Sequence, residues 1–235
     1  MKSAVSPRTL AQKLWGGRSF GWLEAGFLVV IVVALAMRLW ELGGRTVHYD
    51  EAIHLHFAWR LSESSGAFLG WPWVFGTDYI HSPWMHGPFQ IELAALIFKV
   101  FGDTDVTARL GYILFGTAVV AVPYFFRDYL GRTAALLAAV MLTVSPTMLY
   151  FSRFGRNDII MAFFAATLLT LMWRYIHEGH RRYLYLSSAI IALMFATKET
   201  AYLVVAVFGL ILFLFSIADI IPWALGRTKL SQVSH

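Results

Sequence analysis

The chain has 235 residues and a net charge of +5, with 58% of its residues hydrophobic, 16% aromatic and only 14% charged. A soluble domain carries about 25% charged residues, so this composition excludes a soluble globular domain and an intrinsically disordered chain. The sequence contains no cysteine, which excludes a disulfide-stabilised scaffold, a thiolate metal site and a cysteine nucleophile.

Six apolar runs approach or reach the length needed to cross a bilayer core of about 30 Å, which takes about 20 helical residues. They predict a single all-α, polytopic membrane domain, with the first span at residues 20–40 and five more within residues 106–221. The predicted spans are Phe20–Trp40, Val106–Phe126, Thr133–Tyr150, Ile159–Tyr175, Tyr183–Thr197 and Ala201–Ile221.

The distribution of charge predicts the orientation of these spans. With the tails 1–19 and 222–235 in the cytoplasm, the cytoplasmic segments carry a net charge of +7 and the external segments −2. Such an excess of Lys and Arg is typical of cytoplasmic loops, so a nucleic-acid partner is not needed to explain it. Treating Pro88–Phe101 as a seventh span would move four arginines outside. We therefore interpret this run as an amphipathic helix at the membrane surface.

One long external connection, residues 41–105, separates the first two spans. Seven aromatic residues between positions 59 and 84 make it too aromatic for disorder, so we expect short helices lying on the membrane. Within it, Asp50 and Glu51 are adjacent and His54 follows. If a helix begins at Glu51, Asp50 caps it, and Glu51 and His54 share one face. This spacing fits either a solvated, capped helix or a divalent cation held by Glu51 and His54.

Two more ionisable corners lie on the same predicted face of the membrane. Ser152–Asp158 holds Arg153, Arg156 and Asp158, and Lys198–Thr200 holds a lysine beside a glutamate. Each corner has an ordinary structural explanation, as a helix cap or an interfacial ion pair. Ionisable groups at membrane depth are costly and tend to mark functional sites. We therefore expect the three corners to meet over one pocket at the outer leaflet.

The order of these stretches resembles the membrane-embedded glycosyltransferases of the GT-C superfamily, and within it the dolichyl-phosphate-mannose–protein mannosyltransferase-like group. The stretches that carry the resemblance are the acidic pair in the long loop, GPFQIELAALIFKVFGDTDVTARL, RDYLGRTAALLAAV, SPTMLYFSRFGRNDII and ALMFATKETAYL. Over about residues 38–221 the chain is similar to a bacterial and archaeal branch called flippase-activity-associated. Members usually run longer, so the resemblance covers their N-terminal, catalytic half.

The resemblance implies a role for each polar corner. Asp50 would be the catalytic base with Glu51 as its partner, and Asp158 would lie near the donor or a metal ion. Three cations would hold the phosphate of the donor lipid: Arg153, Arg156 and Lys198. The implied reaction moves a sugar from a polyprenyl-phosphate donor to an acceptor hydroxyl, with inversion, at the external face of a prokaryotic cytoplasmic membrane. A divalent cation is an option, because family members differ.

Two functions stay open on the sequence. The first is this glycosyltransferase module, and the second is a non-catalytic membrane subunit of the same fold that docks in a larger complex, because fold does not fix function. Another membrane chain that completes the fold is a partner that either function allows. An enzyme predicts Asp50 and Asp158 facing one cavity that opens toward lipid. A docking subunit predicts these groups tied up in ion pairs or in contacts with other chains.

Overall fold

The computed structural model describes residues 21–64 and 86–224, and every regular element within these ranges is helical. This confirms the predicted all-α fold class. A 3₁₀ turn at Leu42–Gly44 follows the first α-helix. The α-helices are α1 (Trp22–Leu39), α2 (Tyr49–Glu63), α3 (Phe89–Phe101), α4 (Thr107–Leu130), α5 (Arg132–Val144), α6 (Pro146–Ser152), α7 (Asp158–Glu178), α8 (Arg181–Phe195) and α9 (Thr200–Ala224).

Each of the six predicted spans coincides with helical structure. By length and apolar character, α1 with its 3₁₀ turn, α4 and α7 can each cross a bilayer, and α5 and α6 can do so together as one broken span. α8 is shorter, with 15 residues, and α9 contributes a shorter apolar helical segment, Thr200–Leu214. The chain is therefore a polytopic membrane protein, while six crossings and their orientation stay a prediction.

The third predicted span, Thr133–Tyr150, is wrong as one continuous helix. α5 ends at Val144 and α6 begins at Pro146, and the two helices are bent by 62°. A proline disfavours the helical conformation of the residue before it, and Ser145 accordingly has an extended ψ of 120°. Ser145 then caps α6, because its Oγ accepts a hydrogen bond from the backbone N–H of Met148 at 3.4 Å.

α4 is the central helix of the fold and packs against α1, α3, α5 and α7. On one side, Phe27 of α1 and Val120 of α4 lie in a buried cluster that includes α5. On the other side, Phe164 of α7 lies in a cluster that extends to α8 and α9. Gly116 lets α6 approach α4 closely, since a Cβ at this position would lie 2.1 Å from Ser152 Oγ.

Two helices occupy the described part of the long predicted loop, as expected. α2 and α3 pack against each other and against the start of α4, and this packing buries Leu55, Ile91 and Phe98. α3 covers Phe89–Phe101, so a helix is present where we predicted one, apart from its first residue, while its place at the membrane surface stays a prediction. At the other end of the chain, α9 continues to Ala224, past the predicted end of the last span.

Three predictions fall on residues outside the described ranges. They concern the tail 1–19, most of the tail 222–235, and the aromatic residues of the loop between positions 65 and 85.

Candidate active site

The three predicted polar corners meet in a row of alternating charges formed by Asp50, Arg156, Asp158 and Lys198. Arg156 Nη1 lies 3.1 Å from Asp50 Oδ2, and its Nε lies 3.9 Å from Asp158 Oδ2. Lys198 Nζ lies 2.6 Å from Asp158 Oδ1. The four side chains are between 15% and 41% exposed, so substrates have access to them. We call these four residues the ion-pair row.

Both carboxylates of the row stand at helix N-termini. Asp50 lies in the first turn of α2 and Asp158 in the first turn of α7, where the helix dipole stabilises negative charge. α2 begins at Tyr49, so the prediction that Asp50 caps a helix beginning at Glu51 is wrong. His48 is the cap, and its Nδ1 accepts the backbone N–H of Asp50 at 3.2 Å.

Glu51, next to Asp50 in the chain, is fully buried. Its two oxygens accept hydrogen bonds from Nε and Nη2 of Arg109, each at 3.0 Å. They also accept the backbone N–H of His48 at 2.9 Å and of Gly155 at 2.8 Å. Four donors occupy the lone pairs of the carboxylate, so Glu51 has no oxygen left for a substrate.

The buried pair of Glu51 and Arg109 ties four segments of the chain together. Nη1 of Arg109 also donates to the carbonyl oxygens of Leu42 at 3.0 Å and Arg45 at 2.9 Å. Burial alone would raise the pKa of the Glu51 carboxyl. The hydrogen bonds from Arg109, His48 and Gly155 outweigh it and hold this pKa below its usual value. The pair therefore joins α2, α4, the turn after α1 and the turn before α7 around the ion-pair row.

The predicted cation site at Glu51 and His54 does not fit the structure. The oxygens of Glu51 are occupied, and His54 is only 9% exposed, with its ring stacked on His86 at a centroid distance of 5.6 Å. Within residues 21–64 and 86–224, no group of three or more His, Asp or Glu side chains is placed to hold a metal ion. Burial, with a further contribution from His86, lowers the pKa of His54 to about 4.

A second contact fixes the lysine corner to the start of α3. His86 Nδ1 lies 2.8 Å from Glu199 Oε2, and the backbone N–H of Phe89 donates to the carbonyl of Ala196 at 2.9 Å. A Cβ at Gly87 would lie 2.1 Å from that carbonyl oxygen, so only glycine allows this approach. The pKa of the Glu199 carboxyl lies below its usual value, first because of its own backbone N–H and then because of His86.

The structure separates Arg153 from the two other cations that the resemblance assigns to phosphate. Arg156 and Lys198 belong to the ion-pair row. Nη2 of Arg153 instead donates to the backbone carbonyls of Trp40 and Glu41, at 2.5 and 3.2 Å. Arg153 lines a cavity of about 500 Å³, and none of the four residues of the ion-pair row lines this cavity.

Sequence reasoning missed two residues that build the site, Arg109 and His86. The signal for Arg109 was available, because an arginine near the start of a predicted span is costly unless it has a partner. His86 carried no such signal, since its contact with Glu199 depends on the start of α3 meeting the turn after α8, where Phe89 donates to Ala196.

The family described as dolichyl-phosphate-mannose-protein mannosyltransferase matches the chain over residues 85–234, which is 150 of its 235 residues. The matched range includes Arg156, Asp158 and Lys198, while Asp50 precedes it. No curated protein and no solved structure shows a significant match to the chain.

Proposed function

The chain belongs to the dolichyl-phosphate-mannose-protein mannosyltransferase family, whose members are membrane glycosyltransferases of the GT-C type, and we propose that it transfers a sugar from a polyprenyl-phosphate donor to an acceptor hydroxyl. We place this reaction at the external face of a prokaryotic cytoplasmic membrane, with both termini in the cytoplasm. The observation that carries the proposal is the ion-pair row, in which two carboxylates and two cations from three distant corners are linked by successive contacts of 2.6 to 3.9 Å.

Asp50 is the base in this proposal. Its Oδ2 is held by Arg156, and its side chain is 41% exposed, so Oδ1 is available to an acceptor hydroxyl. As the acceptor oxygen bonds to the anomeric carbon, its proton passes to Asp50 and the bond from that carbon to the phosphate oxygen breaks. A single displacement of this kind inverts the anomeric carbon.

Arg156 and Lys198 stabilise the departing lipid phosphate. The phosphate gains negative charge as its bond to the sugar breaks, and cations in a poorly hydrated site offset that charge strongly. Asp158 contacts both cations, at 3.9 Å from Arg156 and 2.6 Å from Lys198, and so keeps them side by side before the donor binds. We therefore assign Asp158 a positioning role.

Glu51 also positions rather than reacts in this proposal. Its carboxylate fixes the backbone of His48, two residues before Asp50, and the backbone of Gly155, directly before Arg156. No step passes through a metal ion, because the occupied oxygens of Glu51 do not fit one.

A second function, the non-catalytic docking subunit, is favoured by one observation. The four charges of the ion-pair row neutralise one another, as expected for groups with a structural task, and the cavity of about 500 Å³ is lined by none of them. The enzyme predicts sugar transfer by the wild type that is lost when the Asp50 carboxylate is neutralised, and the docking subunit predicts no transfer by either protein.

The test is sugar transfer from polyprenyl-phosphate mannose by the full chain in membranes. Asp50→Asn removes the proton acceptor and keeps the shape, so we expect transfer to fall by about 10² to 10⁴. Asp105→Asn, which changes an exposed carboxylate outside the ion-pair row, is the matched control and should leave transfer intact. Equal transfer by the wild type and Asp50→Asn would exclude Asp50 as the base, whereas no transfer by the wild type itself would favour the docking subunit.

A further inference from the structure

The cavity of about 500 Å³ lies where α1 ends, beside the 3₁₀ turn and α6. Its walls combine two kinds of side chain. Apolar walls come from Trp40, Leu149 and Tyr150, and charged groups come from Glu41, Arg45 and Arg153. A binding site with this composition suits a molecule that has both a hydrocarbon part and an anionic part.

The guanidinium groups of Arg45 and Arg153 are both held in place. Arg45 packs over the rings of Tyr150 and Phe154, at 5.1 and 5.2 Å from their centroids. Arg153 is fixed by the carbonyls of Trp40 and Glu41. Among the described residues, neither arginine forms an ion pair with a carboxylate. Orienting a cation in advance lowers the entropic cost of binding an anion.

The charges around the cavity match a single negative charge. Arg109 also lines it, but Glu51 neutralises that charge. With Arg45 and Arg153 positive and Glu41 negative, the remaining charge is +1. A phosphodiester carries one negative charge, and guanidinium groups bind phosphate oxygens with paired hydrogen bonds.

The position of the cavity determines where such a phosphate would come from. α1 with its 3₁₀ turn is a candidate membrane span, so its end, where Trp40 is 71% exposed, lies at the membrane surface. Phospholipid headgroups lie at this depth, and basic pockets between helices bind them.

We propose that this cavity binds the phosphodiester headgroup of an anionic membrane phospholipid, at a site separate from the ion-pair row. The proposal does not depend on the transferase activity. A polyprenyl-phosphate sugar is also a phosphodiester, so the experiment has to distinguish the two sources.

The test is a titration of the purified full chain in detergent, with bound lipid counted by native mass spectrometry. The probes are phosphatidylglycerol and a diacylglycerol with the same acyl chains. We expect the double variant Arg45→Gln/Arg153→Gln to bind phosphatidylglycerol at least tenfold more weakly and diacylglycerol unchanged. Arg60→Gln, an exposed arginine on α2 outside the cavity, is the matched control. Arg45→Gln alone should weaken binding and Arg45→Lys should largely restore it, even if loss of Arg153 disturbs the fold.

Two results would overturn the proposal. The first is an affinity for phosphatidylglycerol that the Arg45 variants leave unchanged. The second is a rise in the KM for polyprenyl-phosphate mannose in Arg45→Gln that parallels the loss of phosphatidylglycerol, which would make the cavity the donor site. If the wild type shows no sugar transfer at all, the proposed function fails while the lipid titration still decides this proposal.

Discussion

Asp50 and Glu51 are neighbours in the chain, but they occupy opposite environments. Glu51 is fully buried with four donors on its carboxylate, while Asp50 is 41% exposed and shares one oxygen with Arg156. A buried ion pair contributes mainly by fixing an arrangement, because desolvation cancels much of its attraction. A part-exposed pair can exchange partners with a substrate. We therefore infer that Glu51 holds the site together and that Asp50 reacts with the substrate, although the residue types alone would allow either role for each.

Neutralising each acid in turn tests this difference between Glu51 and Asp50 most directly. Glu51→Gln leaves the buried Arg109 without its counter-charge, so we expect a loss of about 3 to 5 kcal/mol in stability. Asp50→Asn disrupts only a part-exposed pair, which is worth about 0 to 1 kcal/mol. Thermal unfolding in detergent measures both. A similar loss of stability in the two variants would contradict the assignment.

A double variant separates charge from shape at the buried pair. Glu51→Met combined with Arg109→Met leaves no unpaired charge in the interior, so it should be more stable than Glu51→Gln alone. Recovery should be incomplete, because the carbonyls of Leu42 and Arg45 lose their donor. Unfolding of the double variant at a lower temperature than Glu51→Gln would show that the pair acts through more than its charges.

The positions of the helices and the meeting of the three corners could be predicted from the sequence. Apolar runs of near-bilayer length give the helices, and the ionisable residues between them lie at helix ends, which puts Asp50, Asp158 and Lys198 on one side. The burial of Glu51 could not be predicted. It depends on α2 beginning at Tyr49 and on Arg109, which is 58 positions away and gives no local signal to Glu51.

The separation of Arg153 from Arg156 is a second feature that could not be predicted from the sequence. The two arginines are three positions apart in one turn, and spacing alone groups them as ligands of one phosphate. Their directions are set by what packs around the turn, since Gly155 is anchored to Glu51 and Arg153 to the backbone after α1. Likewise, the bend at Pro146 breaks a run that hydropathy presents as continuous.

The buried His54 makes the stability of the chain depend on pH. Its pKa is about 4 in the folded chain against 6.5 for a free histidine, because the buried ring is costly to charge. Below pH 6.5 the unfolded chain binds a proton that the folded chain does not. The free energy of unfolding therefore decreases as the pH is lowered, by about 2 kcal/mol from pH 6.5 to pH 5. Thermal unfolding across this range should show a weaker pH dependence in His54→Gln. His56→Gln, an exposed histidine on the same helix, is the control, and an equal effect of both would contradict this origin.

Lys198 gives the smallest expected effect and tests whether the ion-pair row binds the donor. Lys198→Met removes one of the two cations proposed for the phosphate, and we expect kcat/KM for polyprenyl-phosphate mannose to fall about tenfold, or about 1.4 kcal/mol. Lys99→Met is the control, because Lys99 Nζ donates to the carbonyl of Ser62 on α2, away from the row. A rise in KM at constant kcat means that Lys198 binds the donor equally in the ground and transition states. A fall in kcat at constant KM would place its contribution in the bond-breaking step instead. A Lys198→Met variant with both constants unchanged would leave Arg156 as the sole cation of the row facing the phosphate and would remove Lys198 from the site.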